Sequence, residues 1–60
     1  MNNLLAIDYG ERFLGIAIRT LKTTIPIPLK VIDSKKETIN KSIQLIIKEY
    51  DINEIIIGYP

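Results

Sequence analysis

The 60-residue chain has no cysteine, so neither a disulfide nor a thiolate metal site can staple it. That absence is compatible with a reducing cytoplasm. It also lacks any long apolar run. No stretch approaches the ~18 residues that suggest a membrane span. The start, Met1 to Asp8, has no basic region, and its apolar run Leu4–Ile7 is cut by Asp8, so it does not read as a secretory signal. The expectation is a soluble, cytoplasmic protein without membrane association. A basic stripe, the usual electrostatic footprint of a nucleic-acid binder, is missing too. Eight Lys and Arg stand against seven Asp and Glu, for a net charge of +1, which neither predicts nor excludes a nucleic-acid partner. The lysines at 22, 30, 35, 36, 41 and 48 are scattered and read as solvated surface.

What is present is one small unit, residues 1–60, with no repeat, low-complexity tract or linker. A domain this short buries only ~60% of the surface its unfolded chain exposes. Asn3 to Asp8 reads as a buried strand, because Leu4, Leu5, Ala6 and Ile7 run without a polar break. Tyr9-Gly10-Glu11-Arg12 is a turn shaped by Gly10, the position most able to take a positive φ. Phe13 to Arg19 is a second strand, and Gly15 within it marks a bulge or a close backbone approach.

Leu21 to Thr24 is a loop, and Ile27 to Asp33 a third strand. Pro26 and Pro28 cannot donate ladder hydrogen bonds and put that strand at a sheet edge. Ser34-Lys35-Lys36-Glu37 has the form of a capping box. Behind it, Ile39, Ile43, Ile46, Ile47 and Tyr50 recur at helical spacing, with Lys41, Lys48 and Glu49 on the opposite side. Asp51 to Asn53 ends the helix, Ile55-Ile56-Ile57 is a fourth strand, and Gly58-Tyr59-Pro60 begins a turn shaped by Gly58 and Pro60. The order is β-β-β-α-β. A right-handed crossover makes the fourth strand parallel to the first, for a mixed sheet ordered 3-2-1-4 with strand one inside.

Four landmarks in order, Asp8-Tyr9-Gly10, Gly15-Ile16-Ala17, Pro28-Leu29 and Ile56-Ile57-Gly58-Tyr59-Pro60, resemble those of the YqgF/RuvX family. The resemblance covers essentially all of this chain and the first part of the family's length, somewhat under half. It implies an α/β, ribonuclease-H-like fold, of which this would be the incomplete β-β-β-α-β N-terminal portion. It also implies a metal-dependent nuclease, using Mg²⁺ or Mn²⁺, that acts in 5′-end processing of 16S pre-ribosomal RNA or on branched DNA. Asp8 falls where the family places its catalytic residue and first metal ligand. The turn after Asp-Tyr-Gly usually carries two basic residues in a row. Here the positions are Arg12 and Phe13, leaving Arg12 as the implied nucleic-acid contact.

In the two-metal scheme, paired ions activate water and stabilise the leaving oxygen, and several carboxylates must converge to hold them. Asp8 reads either as such a ligand or as the start of a turn. Asp33 ends strand three at the same edge, but with strand two between it lies ~10 Å from Asp8. Glu54 begins strand four and faces the opposite edge, Glu37 is spent on the cap, and Glu11 sits on a turn. The end of strand four, Ile57 to Pro60, offers no carboxylate. The expectation is that this chain alone is inactive as a nuclease. Tyr9 and Tyr59 read as rim aromatics that pack locally. Two other readings are open. Sugar-kinase and actin-like ATPases open with Asp-x-Gly followed by Thr or Ser, which cradles phosphate, whereas Glu11 here repels it. A non-enzymatic, truncated remnant is the third. As such a polypeptide, its fourth strand would be an exposed edge with three consecutive Ile residues, which invites self-association unless a partner covers it.

Overall fold

The structure is a computed structural model and describes residues 3–58. Four strands, β1 (Asn3–Tyr9), β2 (Phe13–Arg19), β3 (Ile27–Asp33) and β4 (Ile52–Gly58), form one sheet in the order β3-β2-β1-β4. One helix, α1 (Ile39–Glu49), connects β3 to β4. β1 pairs antiparallel with β2 and parallel with β4, and β2 pairs antiparallel with β3. This is the mixed α/β sheet expected of a ribonuclease-H-like N-terminal portion. Among the described residues, no helix is long and apolar enough to cross a membrane.

The core lies between the sheet and α1. Alternation along the strands sends Leu5 and Ile7 of β1, Leu14, Ile16 and Ile18 of β2, and Ile32 of β3 to the helix side, where they meet Ile46. Each such burial contributes about 1.5–3 kcal/mol. Ile39, Ile43, Ile47 and Tyr50 pack around this cluster, as the helical spacing predicts, and so does Tyr9. A helix is ~10 Å across, whereas the outer axes of four strands stand ~14 Å apart. One helix therefore cannot roof the whole sheet. Ile55 and Ile57 of β4 stay 45% and 52% exposed.

Three local expectations need correction. Gly10 does not take a positive φ. Its need is steric, since a Cβ there would stand 2.7 Å from the Phe13 carbonyl oxygen, which its own N–H reaches at 3.0 Å. The capping box at Ser34 and Glu37 does not form. Asp33 takes over that turn, with its carboxylate accepting the Lys35 N–H and its carbonyl oxygen accepting the Lys36 and Glu37 N–H groups. The helix starts later, with Thr38 as N-cap and no side-chain cap bond. Glu37 instead accepts from the Ser42 hydroxyl (2.9 Å) and the Lys30 ammonium (3.2 Å).

The third correction is that β4 begins at Ile52, ahead of the expected Ile55. Asp51 adopts a left-handed backbone (φ 52°), a conformation that short polar side chains tolerate. That one residue stops the helix and lets the strand start at once. The Asn3 side-chain amide donates to the Tyr50 carbonyl oxygen at 2.8 Å, tying the helix end to β1. The irregularity in the β2–β3 ladder falls between Ile16 and Ala17, opposite Pro28 and Lys30, close to Gly15 though not at it. A proline, which cannot donate to the ladder, sits where the ladder breaks.

Candidate active site

Asp8 is the second-to-last residue of β1, an interior strand, and its side chain is exposed on the sheet face away from α1. Register decides its surroundings. On one side it pairs with Gly15 of β2, and on the other with Gly58 of β4. Both cross-strand neighbours therefore lack a side chain. A Cβ at Gly15 would stand 3.6 Å from the Asp8 Cβ, in ordinary contact, and one at Gly58 would meet nothing within 4 Å. The result is a lane two strand spacings wide, ~10 Å, with a carboxylate in the middle. Below it the face dips into a shallow depression of about 540 Å³, lined by Ala6, Ala17, Val31 and Ile56.

The Asp8 carboxylate has no hydrogen-bond or ion-pair partner among the described residues. The other acidic residues are elsewhere. Asp33 pairs with Phe13 in the ladder, beyond the level of Asp8, and its carboxylate binds Arg12. Two parallel bonds join them, Nε to Oδ1 at 3.0 Å and Nη2 to Oδ2 at 2.9 Å, the bidentate arrangement that guanidinium and carboxylate favour. These hydrogen bonds hold the Asp33 carboxyl below its ordinary range and push Arg12 up. Arg12 also lies over the Phe13 ring, 4.9 Å from its centroid. Any phosphate that Arg12 contacts must share it with Asp33. Glu37 is held low chiefly by its bond from Ser42, then by Lys30. Glu54 pairs with Leu4, at the far end of β1 from Asp8. Glu11 is exposed on the turn.

Among the described residues, no group of three His, Cys, Asp or Glu side chains converges. The chemistry of Asp8 suits one oxygen ligand of a hard divalent cation, but these residues do not make a complete ion site. Gly15 had a visible signal in the sequence as a glycine inside a strand. What was hidden was the register that sets Gly15 and Gly58 on either side of Asp8. Tyr59 and Pro60, and with them the expected turn, lie outside the described residues.

A β-β-β-α-β sheet ordered 3-2-1-4, with an exposed carboxylate at the carboxyl end of its interior first strand, defines the opening portion of a ribonuclease-H-like domain. The chain belongs to the RuvX family, whose model, described as "RuvX: Holliday junction resolvase", matches residues 2–60. The match supports the nuclease resemblance over the ATPase one.

Among curated relatives, a protein of Dictyoglomus turgidum is 41% identical over 59 residues, covering 95% of this chain and 41% of the relative. One from Orientia tsutsugamushi is 41% identical over 58 residues, covering 95% and 36%. One from Rickettsia felis is 38% identical over 58 residues, covering 95% and 38%. All three are named "Putative pre-16S rRNA nuclease". The chain thus spans about two-fifths of the length of these relatives. No solved structure gave a significant match.

Proposed function

We propose that this chain supplies the first metal-binding carboxylate, Asp8, to a metal-dependent nuclease that trims the 5′ end of 16S pre-ribosomal RNA in the cytoplasm. The observation that carries the reading is the setting of Asp8: an exposed carboxylate at the end of an interior strand, with a glycine in each neighbouring strand and no protein partner among the described residues. A carboxylate held in the open by the sheet is free to take a hard cation such as Mg²⁺ or Mn²⁺. Bound there, the ions supply water activation and leaving-group stabilisation. The remaining ligands come from outside residues 3–58, so these residues alone are inactive. Arg12, tempered by Asp33, lies on the turn that follows Asp8 and contacts the nucleic-acid backbone at the rim. The family's own description favours a second substrate, branched DNA.

A chimera tests both substrates. Residues 2–60 replace the matched segment of the Dictyoglomus turgidum relative, and 5′-extended 16S precursor RNA and a four-way DNA junction are offered in Mg²⁺ and in Mn²⁺. The expected outcome is metal-dependent cleavage of the RNA by the chimera, none by the 60-residue chain, and loss of more than about a hundredfold on Asp8→Asn. Changes to mere outer-shell partners already cost 10–100-fold. Cleavage by the 60-residue chain alone, or full activity of the Asp8→Asn chimera, sinks the reading. Cleavage of the junction only moves the substrate to DNA.

A further inference from the structure

We propose that Phe13 and Arg12 form a stacking platform for one unpaired base of a single-stranded nucleic acid, beside the carboxylate of Asp8. That the ligand is nucleic acid rests on the nuclease reading. The form of the strand and the ring that holds it go beyond that reading.

A solitary exposed phenylalanine needs no explanation. Phe13 has company. Leu14, Ile16 and Ile18 of β2 are buried toward α1, so alternation sends Phe13 and Gly15 to the opposite face, which is the face of Asp8. Asp8 pairs with Gly15, and Phe13 is therefore its diagonal neighbour, ~7–8 Å away. Across the hairpin from Phe13 stands Gly10, whose N–H bonds the Phe13 carbonyl oxygen and which has no side chain to lay on the ring. On its other side Phe13 pairs with Asp33.

Arg12 completes the arrangement. Its guanidinium carbon lies 4.9 Å from the centroid of the Phe13 ring, and the two bonds to Asp33 fix it there. A free arginine side chain samples many rotamers, and this one is already held. Asp33 also offsets its charge, so the pair is less a point of positive charge than a layered flat surface. An aromatic ring and a guanidinium plane are the two kinds of group on which unpaired bases stack. Two of the five N–H donors of Arg12 go to Asp33, and the others are left for a phosphate oxygen of the same strand. Little has to be ordered on binding, which lowers its cost.

Stacking selects the form of the ligand. In a duplex each base face is covered by the next pair, and a surface ring has no access to it. An unpaired stretch offers its base faces freely. The platform therefore takes a single strand and sets it one diagonal step from Asp8.

Phe13 is the sole phenylalanine of the chain, so ring-fluorinated phenylalanine gives one NMR signal. Three labelled probes are titrated in EDTA: a short single-stranded RNA, its duplex, and an abasic strand of the same length. Affinities are read by fluorescence anisotropy on the 60-residue chain and on the chimera. The single strand is expected to bind more tightly than the other two and alone to shift the Phe13 signal. Phe13→Ala weakens single-strand binding about fivefold to a hundredfold and leaves the abasic strand unchanged. Phe13→Leu, which keeps apolar bulk without the plane, weakens it alike, and Phe13→Trp retains it. The proposal is overturned by no binding, by an abasic strand or a duplex bound as tightly as the single strand, by an unmoved Phe13 signal, or by Phe13→Leu without effect. No metal is present in these titrations. Stacking without metal-dependent cleavage thus sinks the nuclease reading alone, and cleavage without stacking sinks only the platform.

Discussion

Gly10 and Gly15 are both near Asp8, yet a methyl group would do different things at each. At Gly10 it would press on the Phe13 carbonyl oxygen at 2.7 Å, a backbone atom already engaged by the Gly10 N–H. Gly10→Ala is expected to destabilise the chain by about 1–3 kcal/mol, as overpacking does, read as a lowered urea midpoint. At Gly15 the nearest atom would be the Asp8 Cβ at 3.6 Å, so Gly15→Ala folds without strain. Equal midpoints for the two variants would refute the distinction. Sequence reasoning marked both positions, one as a turn and one as a strand glycine. It assigned Gly10 the wrong cause, because left-handed backbone is the commoner reason for a turn glycine, and a contact with an oxygen three residues ahead depends on how the hairpin closes. The place of Asp8 at the end of an apolar strand was legible, and the resemblance pointed to its role. Its glycine neighbours in space were not, since Gly58 is fifty residues away along the chain and only register brings it alongside.

At the scale of elements, the join between β3 and α1 departs most from its local pattern. The Ser-x-x-Glu sequence reads as a cap, but Asp33 precedes it, and its carboxylate can bond the backbone two residues on as well as Arg12. That competing turn wins, Glu37 is drawn to Ser42 and Lys30, and the helix opens at Thr38 without a side-chain cap. Ser34→Ala is accordingly expected to change stability by no more than about 0.5 kcal/mol. Thr38→Asp, at an N-cap that makes no cap bond and with no acidic residue in the first turn, should stabilise by about 0.5–1 kcal/mol. Chemical denaturation of both variants checks this. A loss above 1 kcal/mol for Ser34→Ala would mean the capping box forms after all. The strands were readable almost to the residue because apolar alternation and proline are strong local signals. β4 is longer than its apolar run suggests, because Asp51 reverses the chain in one step and the strand starts at Ile52.

At the scale of the molecule, two ion pairs among the described residues join different elements: Arg12 with Asp33, 21 positions apart, and Lys30 with Glu37, 7 apart. Both carboxyls are held below their ordinary values of 3.8 and 4.5, each chiefly by a side-chain hydrogen bond. A carboxyl whose folded-state pKa is depressed contributes stability above its unfolded value and loses it as pH falls through the folded one. Thermal stability should therefore be flat through neutral pH and fall below about pH 4, in the carboxylate range. Both pairs are solvent-exposed, so the decline should be shallow and smaller in high salt. Asp33→Asn should flatten part of it. A stability that rises on acidification would show that these pairs do not hold the fold.

Composition and periodicity by themselves determined the elements, their order and the sheet topology, while the family resemblance singled out Asp8. They could do so because each rests on neighbours within a few residues, or on the handedness rule that places the fourth strand beside the first. Only the tertiary structure decided what stands next to Asp8 and where Arg12 spends its charge. Those depend on strand register and on side chains brought together across twenty to fifty positions of the chain, distances over which a local pattern carries no force.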